Sequence, residues 1–173
     1  KFLGILVLGL LWCNIGFALT QESAISQYLS DRKLEKIEGV WVFQPGGRTI
    51  VIYKSNNSYY SKVIWSQQVS SGSAQYRNMY RGSSYYFNAI SKCSYSDVDS
   101  YGNITKTYFV ECASNLVLKD ENEIVETYTY PSQYRGPAPP PVHLFRLWPE
   151  DFNSHNAKFG EKIGEFDSSM KGG

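Results

Sequence analysis

The sequence predicts an all-β protein, either a sandwich or a barrel, on the basis of two observations. β-Branched and aromatic residues come in short runs that Gly, Asn, Ser and Pro interrupt, which is typical of strands joined by turns. Hydrophobic and polar residues alternate within several runs, so one face of each strand is apolar. Strands at this short spacing favour antiparallel pairing, and helix is expected only at the two ends of the chain.

Nine strands are predicted between residues 39 and 148. The alternation is clearest in the third, where Tyr59, Val63 and Trp65 share a face and Lys62 points the other way. The eighth likewise aligns Ile124, Tyr128 and Tyr130. The predicted strands cover residues 39–44, 48–54, 58–67, 74–80, 84–94, 104–112, 115–119, 123–130 and 142–148.

The two ends of the chain differ from this pattern. Residues 1–18 are predicted to be a secretory signal peptide, because Lys1 precedes an uncharged apolar run that ends in small residues at Gly16 and Ala18. The polar segment that follows has no stop-transfer pattern, so no integral membrane anchor is expected after cleavage. The remaining boundaries are a helical lead over 19–36 with Thr20 as its N-cap, suited to plugging a barrel end, a β domain over 37–150, and a short helix with a flexible tail over 151–173.

The charge balance excludes two classes of partner. The chain has 17 basic and 16 acidic residues, and only Lys1 lies in the predicted signal peptide, so the mature chain is close to neutral. The basic residues are scattered rather than clustered. We therefore expect neither a nucleic-acid partner nor binding to an anionic membrane surface.

Two cysteines remain once Cys13 is removed with the signal peptide. If Gly102 and Asn103 form a two-residue hairpin loop, Cys93 and Cys112 lie directly opposite each other and are within disulfide distance. The same register places their face beside Tyr85, Phe87, Ala89, Tyr108 and Val110. The alternatives are two buried free thiols or a turn shifted by one residue. A disulfide indicates an oxidising compartment, so we expect a secreted or periplasmic protein.

Residues 37–43, with the sequence IEGVWVF, resemble the Gly-x-Trp start of the first strand in lipocalins and related calycin barrels. A short helical lead precedes that strand in the family as well. The resemblance implies an antiparallel up-and-down barrel of about eight to nine strands. It also implies a structural barrel floor in which Arg146 of the last strand stacks over Trp41, next to Gly39. The Thr-Asp-Tyr motif of the family is absent, since Thr107 and Tyr108 have no aspartate between them.

The resemblance and the 14 tyrosines together predict a lipocalin-like binding protein for a small apolar or amphipathic ligand. Tyrosine combines a large apolar ring with a polar tip, which suits the wall of a cavity. The residues predicted to line the cavity are Tyr59, Val63, Trp65, Phe87, Tyr108 and Tyr128. The alternative is an extracellular or envelope protein-interaction or structural domain, whose barrel is filled by its own side chains and whose aromatic outer surface contacts a protein partner.

No enzymatic chemistry is expected. The sequence has no nucleophile elbow or phosphate-binding glycine loop, and we expect no cofactor and no metal site. Asp97, Asp99 and Gly102 have the spacing of a calcium loop, but tyrosines stand where further ligands are needed, so a polar turn explains them better. Asn56 and Asn103 lie in glycosylation motifs whose use depends on the source organism.

Overall fold

A computed structural model describes residues 18–134 and 136–159, and it confirms the all-β fold class. Eight antiparallel strands form one closed barrel with up-and-down topology, in which each strand pairs with its neighbour in sequence and the first pairs with the last. The strands are β1 (Gly39–Gln44), β2 (Thr49–Ser55), β3 (Ser58–Trp65), β4 (Tyr76–Arg81), β5 (Tyr86–Val98), β6 (Ile104–Leu118), β7 (Glu123–Thr129) and β8 (Val142–Trp148).

The strand count is eight rather than nine because two predicted strands are one. The strands predicted over 104–112 and 115–119 are both part of β6, which continues without interruption through Ala113 and Ser114 and ends at Leu118. The sequence-based prediction places a gap between two strands at these two small residues. In the barrel Ser114 is buried and its hydroxyl shares a 2.6 Å hydrogen bond with that of Ser91 on β5. A polar residue inside the barrel therefore has a partner, and the strand does not end there.

The alternating topology gives the barrel two distinct ends. We call the end that carries the start of β1 and the end of β8 the floor. We call the opposite end, which carries loops 45–48, 66–75 and 130–141, the mouth. Between them lies a hydrophobic core to which every strand contributes, including Trp41, Phe87 and Leu116. The middle of the barrel is therefore filled by side chains.

The N-terminal helix covers the outside of the barrel and does not plug one of its ends. It comprises Gln21–Ala24 and a π-helical continuation, Ile25–Leu29. The side chain of Thr20 caps it by accepting a hydrogen bond from the backbone N–H of Ser23, at 3.1 Å. The buried residues of this layer are Ala24, Leu29, Leu34, Val40, Val51, Ile64 and Phe152. Because Val40, Val51 and Ile64 are apolar on the outer face of β1–β3, the helix has a surface to bury there.

A buried carboxylate fastens the segment after this helix to the barrel. Glu38 is fully buried and accepts hydrogen bonds from the guanidinium of Arg32 at 2.5 and 3.0 Å. It also accepts the backbone N–H of Glu35 at 2.9 Å and that of Lys54 at 2.6 Å. Both carboxylate oxygens therefore have hydrogen-bond partners, and Glu38 connects the N-terminal segment to β2.

The predicted disulfide between Cys93 and Cys112 is confirmed, but the expected register is wrong by two residues. Cys93 pairs with Val110 and Cys112 with Ser91, so the bond crosses the ladder diagonally, with the two Cα atoms 6.0 Å apart. The turn is a five-residue loop, 99–103, in which the carboxylate of Asp99 accepts the backbone N–H groups of Tyr101 and Asn103. A two-residue shift keeps every side chain on its face, which is why the pairing survives. Tyr85, also expected on that face, precedes β5 and is exposed.

Beyond the barrel, β5 and β6 continue as a two-stranded ribbon, defined here as residues 92–98 and 104–111. β4 pairs with β5 only up to Ser91, and β7 pairs with β6 only from Ala113 onwards. The disulfide therefore lies at the base of the ribbon. Asn103 lies in the exposed loop at its tip, and Asn56 lies in the exposed turn between β2 and β3.

Residues 152–159 are helical, as expected for the start of the C-terminal segment. The predicted signal peptide, apart from Ala18, and the predicted tail from residue 160 onwards lie outside the described residues. Within the described residues, no helix has the length and apolar character needed to cross a membrane.

Candidate functional site

The structure brings Gly39, Trp41 and Arg146 together at the floor of the barrel. The guanidinium of Arg146 lies 4.2 Å from the centroid of the Trp41 ring and 5.0 Å from that of Phe152, so it is held between two aromatic rings. The indole N–H of Trp41 donates to the carbonyl of Ile37 at 3.0 Å. Gly39 has a positive φ of 152°, and a side chain there would collide with Arg146 and with the carbonyl of Trp148.

Arg146 also donates hydrogen bonds to three backbone carbonyls. Its Nη1 bonds Glu38 at 2.7 Å, its Nη2 bonds Lys36 at 2.5 Å, and its Nε bonds Glu121. Burial lowers the pKa of Arg146 to about 10, while Glu121 and Asp120 act in the opposite direction. The side chain therefore remains charged at neutral pH and ties the N-terminal segment to the turn between β6 and β7.

The six residues predicted to line a ligand cavity lie in three different environments. Tyr59, Val63 and Phe87 are buried in the hydrophobic core, where the rings of Tyr59 and Phe87 make an edge-to-face contact at 5.1 Å. Tyr128 is half-buried near the mouth. Trp65 and Tyr108 lie outside the core.

Trp65 leaves the face it was predicted to share with Tyr59 and Val63 because of a β-bulge. The register between β2 and β3 shifts by one residue, so that Val63 pairs with Ile50 but Trp65 pairs with Thr49. Strict alternation is lost at this point. As a result the side chain of Trp65 is 50% exposed, whereas Val63 is fully buried.

Two neighbouring cavities at the mouth are the candidate ligand site, which we call the mouth site. The first has a volume of about 300 Å³ and is lined by Phe43, Pro45, Tyr128 and Val142, among others. The second has about 460 Å³ and lies against loop 66–75 and the base of the ribbon. Arg48 lines both. These volumes lie at the lower end of the range for small-molecule sites, which is roughly 300–1,000 Å³.

A buried polar cluster lies beneath the mouth site, centred on Glu126 of β7. One oxygen of this fully buried carboxylate, Oε2, accepts the hydroxyls of Tyr76 at 2.9 Å and of Tyr128 at 2.8 Å. Tyr128 therefore belongs both to the wall of the first cavity and to the cluster beneath it. Arg48 is held at the cavity by a 3.0 Å hydrogen bond from its Nη1 to the side-chain carbonyl of Gln75.

Burial dominates the electrostatics of this cluster. It raises the pKa of the Glu126 carboxyl, an effect that hydrogen bonds from Ser114, Tyr128 and Tyr76 and the charge of Arg48 oppose. Burial and the neighbouring Glu126 also raise the pKa values of Tyr76 and Tyr128, so both phenols stay protonated as donors. The cluster is thus one acidic group, two neutral phenols and a nearby cation.

Two buried polar atoms of the cluster have no hydrogen-bond partner among the described residues: Nε of Arg48, a donor, and Oε1 of Glu126, an acceptor. Arg48 lines both cavities, whereas Glu126 lines neither and its carboxylate also interacts with the Ser114 hydroxyl. Because buried polar atoms are nearly always paired, the Nε donor of Arg48 is the one that calls for a partner at the mouth. This observation distinguishes the mouth from the floor, where the Glu38 carboxylate and the Trp41 N–H are both satisfied.

Arg48, Tyr76 and Glu126 were not among the predicted site residues. A signal for Glu126 exists in the sequence, because it lies between Ile124 and Tyr128 at the spacing that places all three on one face. Arg48 directly follows a Gly-Gly turn and shows no pattern of its own. Its role arises from contacts across the barrel with Gln75.

The ribbon carries a second aromatic region, which we call the tyrosine cluster. Tyr95 stacks on Tyr108 at 5.0 Å and contacts Tyr130 and Tyr134 at 5.5 and 4.8 Å. A surface cavity of about 770 Å³ lies between this cluster and loop 130–141. The ribbon also exposes apolar side chains, and Phe109, next to Tyr108, is 86% exposed.

Comparisons with known proteins assign no family to this chain. No protein-family model, no curated protein and no solved structure matches this chain. The eight-stranded closed antiparallel barrel is compatible with a calycin-like fold. In the described part of the chain, His, Cys, Asp and Glu residues form no group of three or more that could hold a metal ion.

Proposed function

We propose that this chain is a secreted or periplasmic, lipocalin-like binding protein that holds a small amphipathic molecule at the mouth of its barrel. The observation that carries the proposal is the unpaired Nε donor of Arg48, whose side chain lines a cavity with aromatic and aliphatic walls. Apolar walls with a few convergent polar groups are the usual make-up of a small-molecule site. The Cys93–Cys112 disulfide supports an oxidising compartment.

The filled core limits where the ligand lies. Tyr59, Val63 and Phe87 pack against one another and their neighbours, so they support the wall rather than contact the ligand. The contacts come instead from Phe43, Arg48, Tyr128 and Val142. A shallow site of this kind suits a compact molecule that keeps part of its surface at the mouth.

Native mass spectrometry of the oxidised chain, purified from the compartment in which it is made, tests this function. We expect a small organic molecule to leave the wild-type chain on denaturation. Val142→Trp should remove it, because Val142 lines the first cavity and an indole fills that space. Thr127→Trp is the matched control, since Thr127 is exposed on β7. Release of nothing from the wild type, or equal release from Val142→Trp, would reject the proposal.

The exposed ribbon favours a second candidate function, in which the chain is a protein-interaction domain. Four apolar side chains of the ribbon and its loop lie exposed, three at the tip and one near the base, and such a concentration is uncommon on a surface without a partner. They are Val98, Tyr101, Ile104 and Phe109. For self-association through the ribbon, we expect sedimentation velocity to show an oligomer that Ile104→Ser with Phe109→Ser dissociates. A monomer at all concentrations would reject self-association through the ribbon.

A further inference from the structure

We propose that the mouth site binds an amphipathic organic acid, whose carboxylate group accepts hydrogen bonds from Nε and Nη2 of Arg48. This inference rests on the proposed function, because it names the chemical class of ligand for that same site. It starts from Arg48, which lines both cavities and whose buried Nε has no hydrogen-bond partner in the described part of the chain.

One edge of the Arg48 guanidinium has no partner. Gln75 occupies Nη1, which donates to its side-chain carbonyl at 3.0 Å. Among the described residues, no group accepts a hydrogen bond from Nε or Nη2, the two nitrogens whose N–H groups point in parallel along one side of the guanidinium. This pair of donors matches the two oxygens of a carboxylate, so a ligand carboxylate accepts two parallel hydrogen bonds there.

The charges around the two cavities favour an anion. The described residues that line them include the cations Arg48 and Lys92 and no Asp or Glu. Arg48 forms no ion pair with a described residue. Glu111, the cross-strand neighbour of Lys92, is paired with Arg77 instead. An anionic ligand therefore meets positive charge at the cavity surface and no lining carboxylate.

The carboxylate of Glu126, beneath the site, does not take the place of such a ligand. Its charge interacts with that of Arg48, but Glu126 lines neither cavity and forms no ion pair with the guanidinium. Its hydrogen-bond partners are the hydroxyls of Tyr76, Tyr128 and Ser114. Three hydroxyl donors stabilise Glu126 without Arg48, so the free edge of the guanidinium remains available to a ligand.

The walls of the first cavity suit the apolar part of an organic acid. Phe43 and Tyr128 present rings, and Pro45 and Val142 add aliphatic surface. The volume of about 300 Å³ fits a compact ring system better than a long chain. The central carbon of the Arg48 guanidinium lies 5.7 Å from the centroid of the Phe43 ring. The charged group and the apolar wall are therefore adjacent, as an amphipathic ligand requires.

The single charge on the wall of the first cavity suits a carboxylate better than a phosphate. Among the described residues that line this cavity, Arg48 is the only charged one. Its charge balances a carboxylate, whereas a phosphate dianion would keep a second charge without a partner, which is costly away from water. The hydrogen bond to Gln75 holds the guanidinium before the ligand arrives, which favours selective binding.

The test is an NMR titration of the oxidised, 15N-labelled chain at neutral pH with three probes that share one ring system: 2-naphthoate, 2-naphthamide and 2-naphthyl phosphate. We expect 2-naphthoate to bind about ten-fold more tightly than 2-naphthamide, because the amide has one acceptor oxygen and no charge. The side-chain Nε–H signal of Arg48 should shift with 2-naphthoate.

Two variants of Arg48 separate its charge from its paired donors. Arg48→Gln removes both, so 2-naphthoate should bind about ten-fold more weakly and lose its advantage over 2-naphthamide. Arg48→Lys keeps the charge but cannot donate in the paired geometry, so it should recover only part of this loss. Lys119→Gln is the matched control, because it removes one positive charge from an exposed position at the floor and should leave the affinities unchanged. The 15N spectra also report whether each variant keeps the fold.

The outcomes separate this inference from the proposed function. Equal affinity for 2-naphthoate and 2-naphthamide, tighter binding of 2-naphthyl phosphate, or an unchanged preference in Arg48→Gln would overturn the inference while the small-molecule site stands. Full recovery in Arg48→Lys would overturn the paired hydrogen bonds. Failure of every probe to bind would reject the organic-acid class, and native mass spectrometry would then decide on the proposed function independently, because it needs no choice of probe.

Discussion

Replacing Arg146 by methionine tests the construction of the barrel floor. Methionine keeps an unbranched stem that packs over the Trp41 ring, but it removes the cation and every hydrogen-bond donor. The carbonyls of Glu38, Lys36 and Glu121 lose their donor in this variant. The stacking of the guanidinium between Trp41 and Phe152 is lost as well.

The magnitude follows from these contacts. A cation over an indole contributes about 1 kcal/mol at a partly buried position. Leaving a buried carbonyl without its charged donor costs about 1–2 kcal/mol. Water can reach the carbonyl of exposed Lys36, so this cost applies to the carbonyls of Glu38 and Glu121. We therefore expect Arg146→Met to lower the free energy of unfolding by about 3–5 kcal/mol.

Urea unfolding followed by circular dichroism measures this change, with wild-type, Arg146→Met and Arg77→Met compared under the same conditions. Arg77 is the matched control, because its ion pair with Glu111 is exposed on the barrel surface and should be worth less than about 1 kcal/mol. A loss below about 1 kcal/mol for Arg146→Met, or equal losses for the two variants, would refute the role assigned to the floor.

Three further predictions concern stability. Gly39→Ala should lower the free energy of unfolding by more than about 2 kcal/mol, since its φ of 152° and the nearby carbonyl of Trp148 leave no room for a Cβ atom; a smaller loss in urea unfolding would contradict the close packing. Burial raises the pKa of the Glu126 carboxyl above 4.5 in the folded state. The free energy of unfolding of the wild type should therefore fall as pH rises through the raised pKa, by about 1.4 kcal/mol for each unit by which the pKa is raised. Glu126→Gln should lose less stability between about pH 4.5 and 8, and equal losses would exclude a raised pKa. The double variant Cys93→Ser with Cys112→Ser removes a crosslink between residues 19 apart in sequence and should lower the free energy of unfolding by about 3 kcal/mol. Amide exchange in the ribbon should become faster. Unchanged exchange there would show that the disulfide does not stabilise the base of the ribbon.

The features that depend on local pattern could be predicted from the sequence. Residues 39–44 and 142–148 are predicted and observed as strands with identical bounds. The pairing of Cys93 with Cys112 was also predictable, because a two-residue change in register keeps both residues on one face. The five-residue loop was not, since it depends on the side chain of Asp99 bonding the backbone of Tyr101 and Asn103.

The candidate site was harder to predict because it depends on contacts between distant strands. Tyr76 and Glu126 are 50 residues apart in sequence, and their hydrogen bond follows only from closure of the barrel. Trp65 looked like an interior residue by alternation, but a β-bulge moves it to an exposed position. Residues that pack in the core and residues that contact a ligand also share the same sequence pattern. Only the filled core shows that Tyr59, Val63 and Phe87 belong to the first group.

A crystal structure of the oxidised chain, purified from its own compartment without added ligands, tests the central claim most directly. The account predicts electron density for a small organic molecule in the mouth site, in contact with Arg48, Tyr128 and Phe43. It also predicts that a polar atom of this molecule lies within hydrogen-bond distance of Nε of Arg48. Ordered water alone in both cavities, with a water molecule bonded to Nε of Arg48, would contradict the claim that this barrel is a small-molecule carrier.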